Sequence, residues 1–167
     1  MLCLRKLILC LLLILSLCAC ENKTEAKPET KNLSFCVTTV SQNTEYLLSA
    51  TTDDNAELHL TVENPESITD LKMHFGNKKV KINYLDLEKE ISTDALQANS
   101  VFKILYEGIL KASKTESLSI EDDKYFIPFS VENKDYFFYF GQSGLPLEIK
   151  SKDNETQIII KGAAISN

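Results

Sequence analysis

From Leu33 onward the apolar residues of this chain fall at every second position over short stretches, the period of a strand with one dry and one wet face. Ala56, Leu58, Leu60 and Val62 form one such run, Leu71, Met73 and Phe75 a second, and Val80, Ile82 and Tyr84 a third. Polar partners such as Glu57, His59, Thr61 and Lys72 alternate with them. Asn64-Pro65-Glu66-Ser67 divides the first run from the second and Gly76-Asn77 the second from the third, both with turn chemistry. Adjacent antiparallel pairing is the simplest topology.

Between Ser92 and Ala112 the period changes. Leu96, Val101, Leu105, Ile109 and Ala112 recur at helical spacing, and Phe102, Ile104 and Leu110 widen the stripe until it demands burial. Ser92 or Thr93 can cap, Asp94 suits the first turn and Lys111 the last. Asn99-Ser100 offers a break, so the main helix is predicted from Ser100 to Ala112. Strands then resume as Tyr125 to Val131, Tyr136 to Phe140, Leu145 to Ile149 and Gln157 to Lys161. Asn133-Lys134, Ser143-Gly144 and Asp153-Asn154 supply the turns between them. An antiparallel sheet must cover its apolar face, and the central helix is the one large apolar object available to do so. The predicted fold is α+β, a curved antiparallel sheet, or incomplete barrel, wrapped around one main helix.

The chain before Leu33 has a different character. Arg5 and Lys6 precede an apolar run from Leu7 to Leu17, the layout of a secretion signal and too short to span a bilayer stably. Leu17-Cys18-Ala19-Cys20 resembles the bacterial lipobox. That resemblance implies lipidation of Cys20 with diacylglycerol, cleavage just before it, and an amine open to acylation. Glu21 to Asn32 carries one Ala and no larger apolar side chain, too little to offset its ordering entropy. The expected organisation is a signal peptide over 1–19, a lipidated flexible tether over 20–32, and a single domain over 33–167. Acyl chains on Cys20 would hold the protein at the extracytoplasmic face of the cell membrane.

Charge and cysteine usage narrow the picture. The chain has 18 basic and 24 acidic side chains, net −6, and losing Arg5 and Lys6 with the signal takes this to −8. Such a balance argues against nucleic acid and against electrostatic adhesion to anionic lipid. Of the five cysteines, Cys3, Cys10 and Cys18 leave with the signal and Cys20 is used for lipid. Cys36 then remains as a lone thiol, expected to pack in a strand beside Phe35 and Val37, with no disulfide framework.

At the level of pattern the chain resembles the lipoprotein-carrier superfamily, which includes the periplasmic outer-membrane lipoprotein carrier, its lipid-anchored receptor and mycobacterial lipid-binding lipoproteins. Small Gram-positive lipoproteins of that kind are the nearest in character. The matching features are Val62-Glu63-Asn64-Pro65-Glu66 with Ile68 and Leu71, the Ile82 to Leu87 strand leading into the helix, and Gly144-Leu145-Pro146 opening a late strand. The resemblance implies a strongly curved incomplete barrel with an apolar cavity and no catalytic residue. Carriers usually begin with an amphipathic helix, whereas here the tether runs directly into a strand, which points away from lipoprotein shuttling.

Reactive chemistry is sparse. His59 and His74 both fall on polar faces, and a hairpin turning at Pro65-Glu66 would set Glu57 opposite His74 and His59 opposite Lys72. A surface metal site on Glu57, His59 and His74 would follow from that register, but with Lys72 in its middle a solvated face is the expected reading. No Gly-x-Ser-x-Gly, Gly-rich phosphate loop or Cys-x-x-Cys occurs. Glu121-Asp122-Asp123 lacks the spacing and the Gly of a calcium loop and reads as a solvated turn. Tyr125, Phe126, Phe129 and the run Tyr136-Phe137-Phe138-Tyr139-Phe140 crowd one hairpin with aromatics on both faces, implying double cover or a cavity wall.

The expectation is a non-enzymatic envelope lipoprotein, without cofactor or metal, binding an apolar ligand between sheet and helix. Met73, Phe75, Phe102, Leu105, Ile109, Phe129, Phe138 and Phe140 are the expected lining. The alternative is a lipid-anchored module with a packed core and no ligand that docks another envelope protein.

Overall fold

The computed structural model describes residues 26–166 apart from Gln42 and Asp123. The expected signal peptide and the expected lipidation site at Cys20 lie outside the described residues. Among the described residues eleven strands are present: β1 (Leu33–Ser41), β2 (Thr44–Thr52), β3 (Leu58–Asn64), β4 (Lys72–Gly76), β5 (Lys79–Tyr84), β6 (Leu87–Ser92), β7 (Ser119–Glu121), β8 (Lys124–Val131), β9 (Lys134–Phe140), β10 (Pro146–Ser151) and β11 (Gln157–Ile165). They form one antiparallel sheet in the order β6-β5-β4-β3-β2-β1-β11-β10-β9-β8-β7. One helix, α1 (Val101–Ala112), lies against it. The described residues are thus mostly sheet, with the helical part of the α+β expectation reduced among them to this element and two short 3-10 turns.

Pairing of β1 with β11, Val37 opposite Ile160 and Thr39 opposite Ile158, joins the two halves of the chain at the middle of the sheet. Curvature follows from what α1 touches. Phe75 of β4 stacks on Tyr106 with ring centroids 5.1 Å apart, while Phe129, Phe138 and Ile149 of β8, β9 and β10 close on Gly108 from the other side. Strands far apart in the order reach one helix, so the sheet bends around it. Edges β6 and β7 remain unpaired with each other.

Alternation places Leu58, Leu60, Val62, Met73, Phe75 and Val80 inside, as their spacing predicted, in one continuous buried cluster with α1. Several expectations are corrected. Ala56 is buried in a tight turn with φ 61° and does not begin β3. The stretch from Ile82 does not lead directly into the helix; Leu85-Asp86 turns it back, and the polar Leu87-Glu88-Lys89-Glu90-Ile91-Ser92 pairs as the edge strand β6. Edge position explains why its pattern is charged, with Lys79–Glu90 and Lys81–Glu88 pairs at 2.6 and 2.7 Å. The capping by Ser92 serves a 3-10 turn, Thr93–Ala95, rather than the main helix.

Cys36 is exposed, because Leu33, Phe35 and Val37 take the inner face of β1 and the thiol points outward. The described part of the expected tether is docked. Pro28 and Thr30 are buried, Glu29 N–H donates to the Gly144 carbonyl at 2.9 Å, and Leu118 N–H donates to that of Ala26 at 3.0 Å. Glycine at 144, with φ 80°, lets this strap pass: a β-carbon there would fall on the Lys27 carbonyl oxygen.

Candidate functional site

One end of the curved sheet is formed by the β2–β3 turn, the β4–β5 turn, the β9–β10 turn and the C-terminus of α1. The strap over 26–32 crosses this same end. Asn77 and Lys78 make the β4–β5 turn with φ of 50° and 61°, a left-handed pair suited to a two-residue hairpin. The β2–β3 turn is held by Asp53, whose carboxylate accepts from the backbone N–H groups of Asn55 and Glu57 at 2.8 and 2.9 Å. Against these turns α1 presents Tyr106 and Leu110, with Lys114 just beyond its last turn.

Between them lies an open groove of about 520 Å³, lined by Ala56, Glu57, Phe75, Lys78, Tyr106, Leu110 and Lys114 among others. Its floor is apolar and aromatic, and its rim carries two lysines against one carboxylate. That carboxylate is engaged, because Glu57 lies 2.9 Å from His74 Nε2. Gly76 makes room for it: a β-carbon at Gly76 would sit 2.6 Å from Glu57 Oε1. Burial raises the Tyr106 hydroxyl above its ordinary pKa, against a backbone hydrogen bond at Lys78. On the other side of the helix a second depression of about 430 Å³ is lined by Glu107, Leu110, Lys111, Lys114, Pro128, Phe129 and Ser130. Leu110 and Lys114 border both, so the two flank the end of the helix. Burial also raises Glu107, with Lys103 opposing.

The expected lining is distributed differently. Met73, Phe75, Leu105, Ile109, Phe129, Phe138 and Phe140 are all buried in the continuous core, and Phe102 is half-buried, edge-on to Tyr46 at 6.0 Å. Phe75 also floors the larger groove and Phe129 the smaller. Residues that the sequence reasoning passed over complete the site: Tyr106, four positions after Phe102 on the same helix face, and Lys78 and Lys114, in a turn and beyond a helix end.

Tyr136, Phe138 and Phe140 face the core, while Phe137 and Tyr139 lie on the outer face with Phe126 at 5.6 and 6.0 Å. The double-sided aromatic run therefore serves the core inside and a half-buried aromatic cluster outside, where Lys150 lies over Tyr139 at 5.9 Å.

The histidine register differs from expectation. His59 faces His74 directly, rings stacked at 4.0 Å, because a 3-10 turn at Glu66–Ile68 lengthens the loop and moves its centre one residue later. Among the described residues no three His, Cys, Asp or Glu side chains converge as a metal site. No helix among them is long and apolar enough to cross a membrane.

No family model matches the chain and no curated protein matches it. Among solved structures it is similar to a LolA superfamily protein from Nitrosomonas europaea, at 8% identity and a TM-score of 0.44, over 84% of this chain and 89% of that one.

Proposed function

We propose that this is a non-enzymatic, lipid-anchored protein of the cell envelope that binds an apolar or amphiphilic molecule between its curved sheet and helix. The observation that carries the reading is the groove of about 520 Å³ at the helix C-terminus, with Phe75, Tyr106 and Leu110 beneath and Lys78 and Lys114 at the rim. Its size falls in the range of small-molecule sites. An acyl chain laid on the aromatic floor would be removed from water, each methylene contributing about 0.8 kcal/mol. The cations would meet a polar or anionic head. Because the interior residues around Phe138 are packed together, the binding position is the end of the sheet rather than its centre.

Titration of the membrane-extracted protein with a fluorescent fatty acid tests this. Saturable uptake of one equivalent per chain, weakened at least about tenfold (1.4 kcal/mol) by Leu110→Glu, is the expected result. Absence of saturable uptake by the unsubstituted protein would sink the reading.

A further inference from the structure

We propose that the groove faces the bilayer that holds Cys20, so that its ligand passes between membrane and protein without crossing bulk water. This rests on the anchored-binder reading above and adds an orientation to it. Three observations carry it. The strap is not free to swing: Ala26, Glu29 and the Lys27 backbone are seated against Leu118 and Gly144. Only five residues, 21–25, lie between Cys20 and Ala26, and whatever path they take the span is at most about 20 Å. Finally, Ala26 is seated at the end of the sheet that carries the groove. Lys114, on the groove rim, is four residues from Leu118 and therefore no more than about 14 Å along the chain from the seat of Ala26.

The opposite end of the sheet, marked by the β5–β6 turn, is a strand length away, about 20 Å. A lipid on Cys20 therefore holds the grooved end near the membrane and the β5–β6 turn away from it. The partner is the lipid surface itself. The mixed charge of this end, with Lys27, Lys78 and Lys114 among Glu29, Asp53 and Asp54, makes the anchor rather than net charge responsible for the contact.

The chain contains no tryptophan, so one introduced indole reports cleanly. Gln142→Trp places it on the exposed β9–β10 turn at the grooved end, and Leu87→Trp at the exposed far end; neither residue lines the groove. Each full-length variant, expressed in a bacterium that lipidates it, is reconstituted in vesicles of phosphatidylcholine and phosphatidylglycerol containing brominated phosphatidylcholine. Stronger quenching at 142 than at 87, by several-fold, is expected. Equal quenching, or stronger quenching at 87, overturns the orientation. Mass spectrometry of Cys20 and the fatty-acid titration are read on the same samples. An acylated, ligand-binding protein without the quenching difference refutes the orientation alone, whereas an unacylated Cys20 or absent uptake refutes the reading beneath it.

Discussion

Gly108 shows how a single position sets the fit of helix to sheet. A β-carbon there would lie 3.0 Å from Ile149 Cδ1, 3.2 Å from Phe138 Cδ1 and 3.3 Å from Phe129 Cζ. One methyl meets flexible side-chain ends, and the helix propensity gained over glycine, about 1 kcal/mol, offsets the crowding in Gly108→Ala. Gly108→Val adds two more carbons to a filled space and is expected to lose about 3 kcal/mol in urea unfolding, where Gly108→Ala stays near zero. His59 makes a prediction in pH. Although exposed, it is partly desolvated, which lowers its pKa, and the stacked His74 lowers it further, against Asp53 and Glu57. With the folded value below the unfolded one, the unfolded chain takes up the proton first. Stability is therefore unaffected above the unfolded pKa and falls as pH drops from there through the folded value. The thermal midpoint should decline between about pH 7 and 5, and decline less in His59→Gln. The sequence marks both histidines as surface residues. Their stacking depends on loop length between β3 and β4, which alternation does not report.

At the scale of elements, the strap is the clearest case of a segment whose composition and placement disagree. Its polar sequence predicts a free tether, yet its backbone hydrogen-bonds to Gly144 and Leu118, contacts that need no apolar side chain of its own. Gly144→Ala should push the strap off, because the residue sits at φ 80° and a β-carbon would meet Lys27. The expected outcome is faster trypsin cleavage after Lys31, with global stability reduced by only about 1 kcal/mol. Unchanged cleavage would show that the strap is held elsewhere. Lys103, buried on α1, likewise acts through position: its Nζ donates to Glu132 at 3.1 Å and to the Leu96 carbonyl at 3.3 Å. It stands on the apolar side of the helix because its head reaches past the core to those partners, a use of lysine that periodicity assigns to solvent.

At the scale of the whole molecule, one core cluster runs from β1 through α1 to β11, and among the described residues it is not divided into separately filled units. Far-UV circular dichroism and tyrosine fluorescence should therefore report a single coincident unfolding transition. Non-coincident curves would mean that the halves either side of the β1–β11 pairing unfold apart. Pairing residues as distant as Thr39 and Ile158 also makes folding slow, on the order of milliseconds to seconds.

Local order was legible in the residues: alternation marks the inner face of nearly every strand, turn chemistry separates the hairpins, and the broad stripe of Val101 to Ala112 identifies the covering helix. These are properties of a few neighbouring residues, so a linear reading captures them. The edge strand β6, the outward thiol of Cys36, the histidine stack and the docked strap each depended on what lies opposite in space. The groove is the extreme case, since Glu57 and Lys78 come from two separate turns and meet Tyr106, Leu110 and Lys114, which follow one face of the helix and the residues just beyond it, with no spacing along the chain to connect the three segments. Closure of distant strands around the helix brings them together, and the packing that fills the centre with Phe75, Leu105 and Phe138 leaves the opening at the end of the sheet.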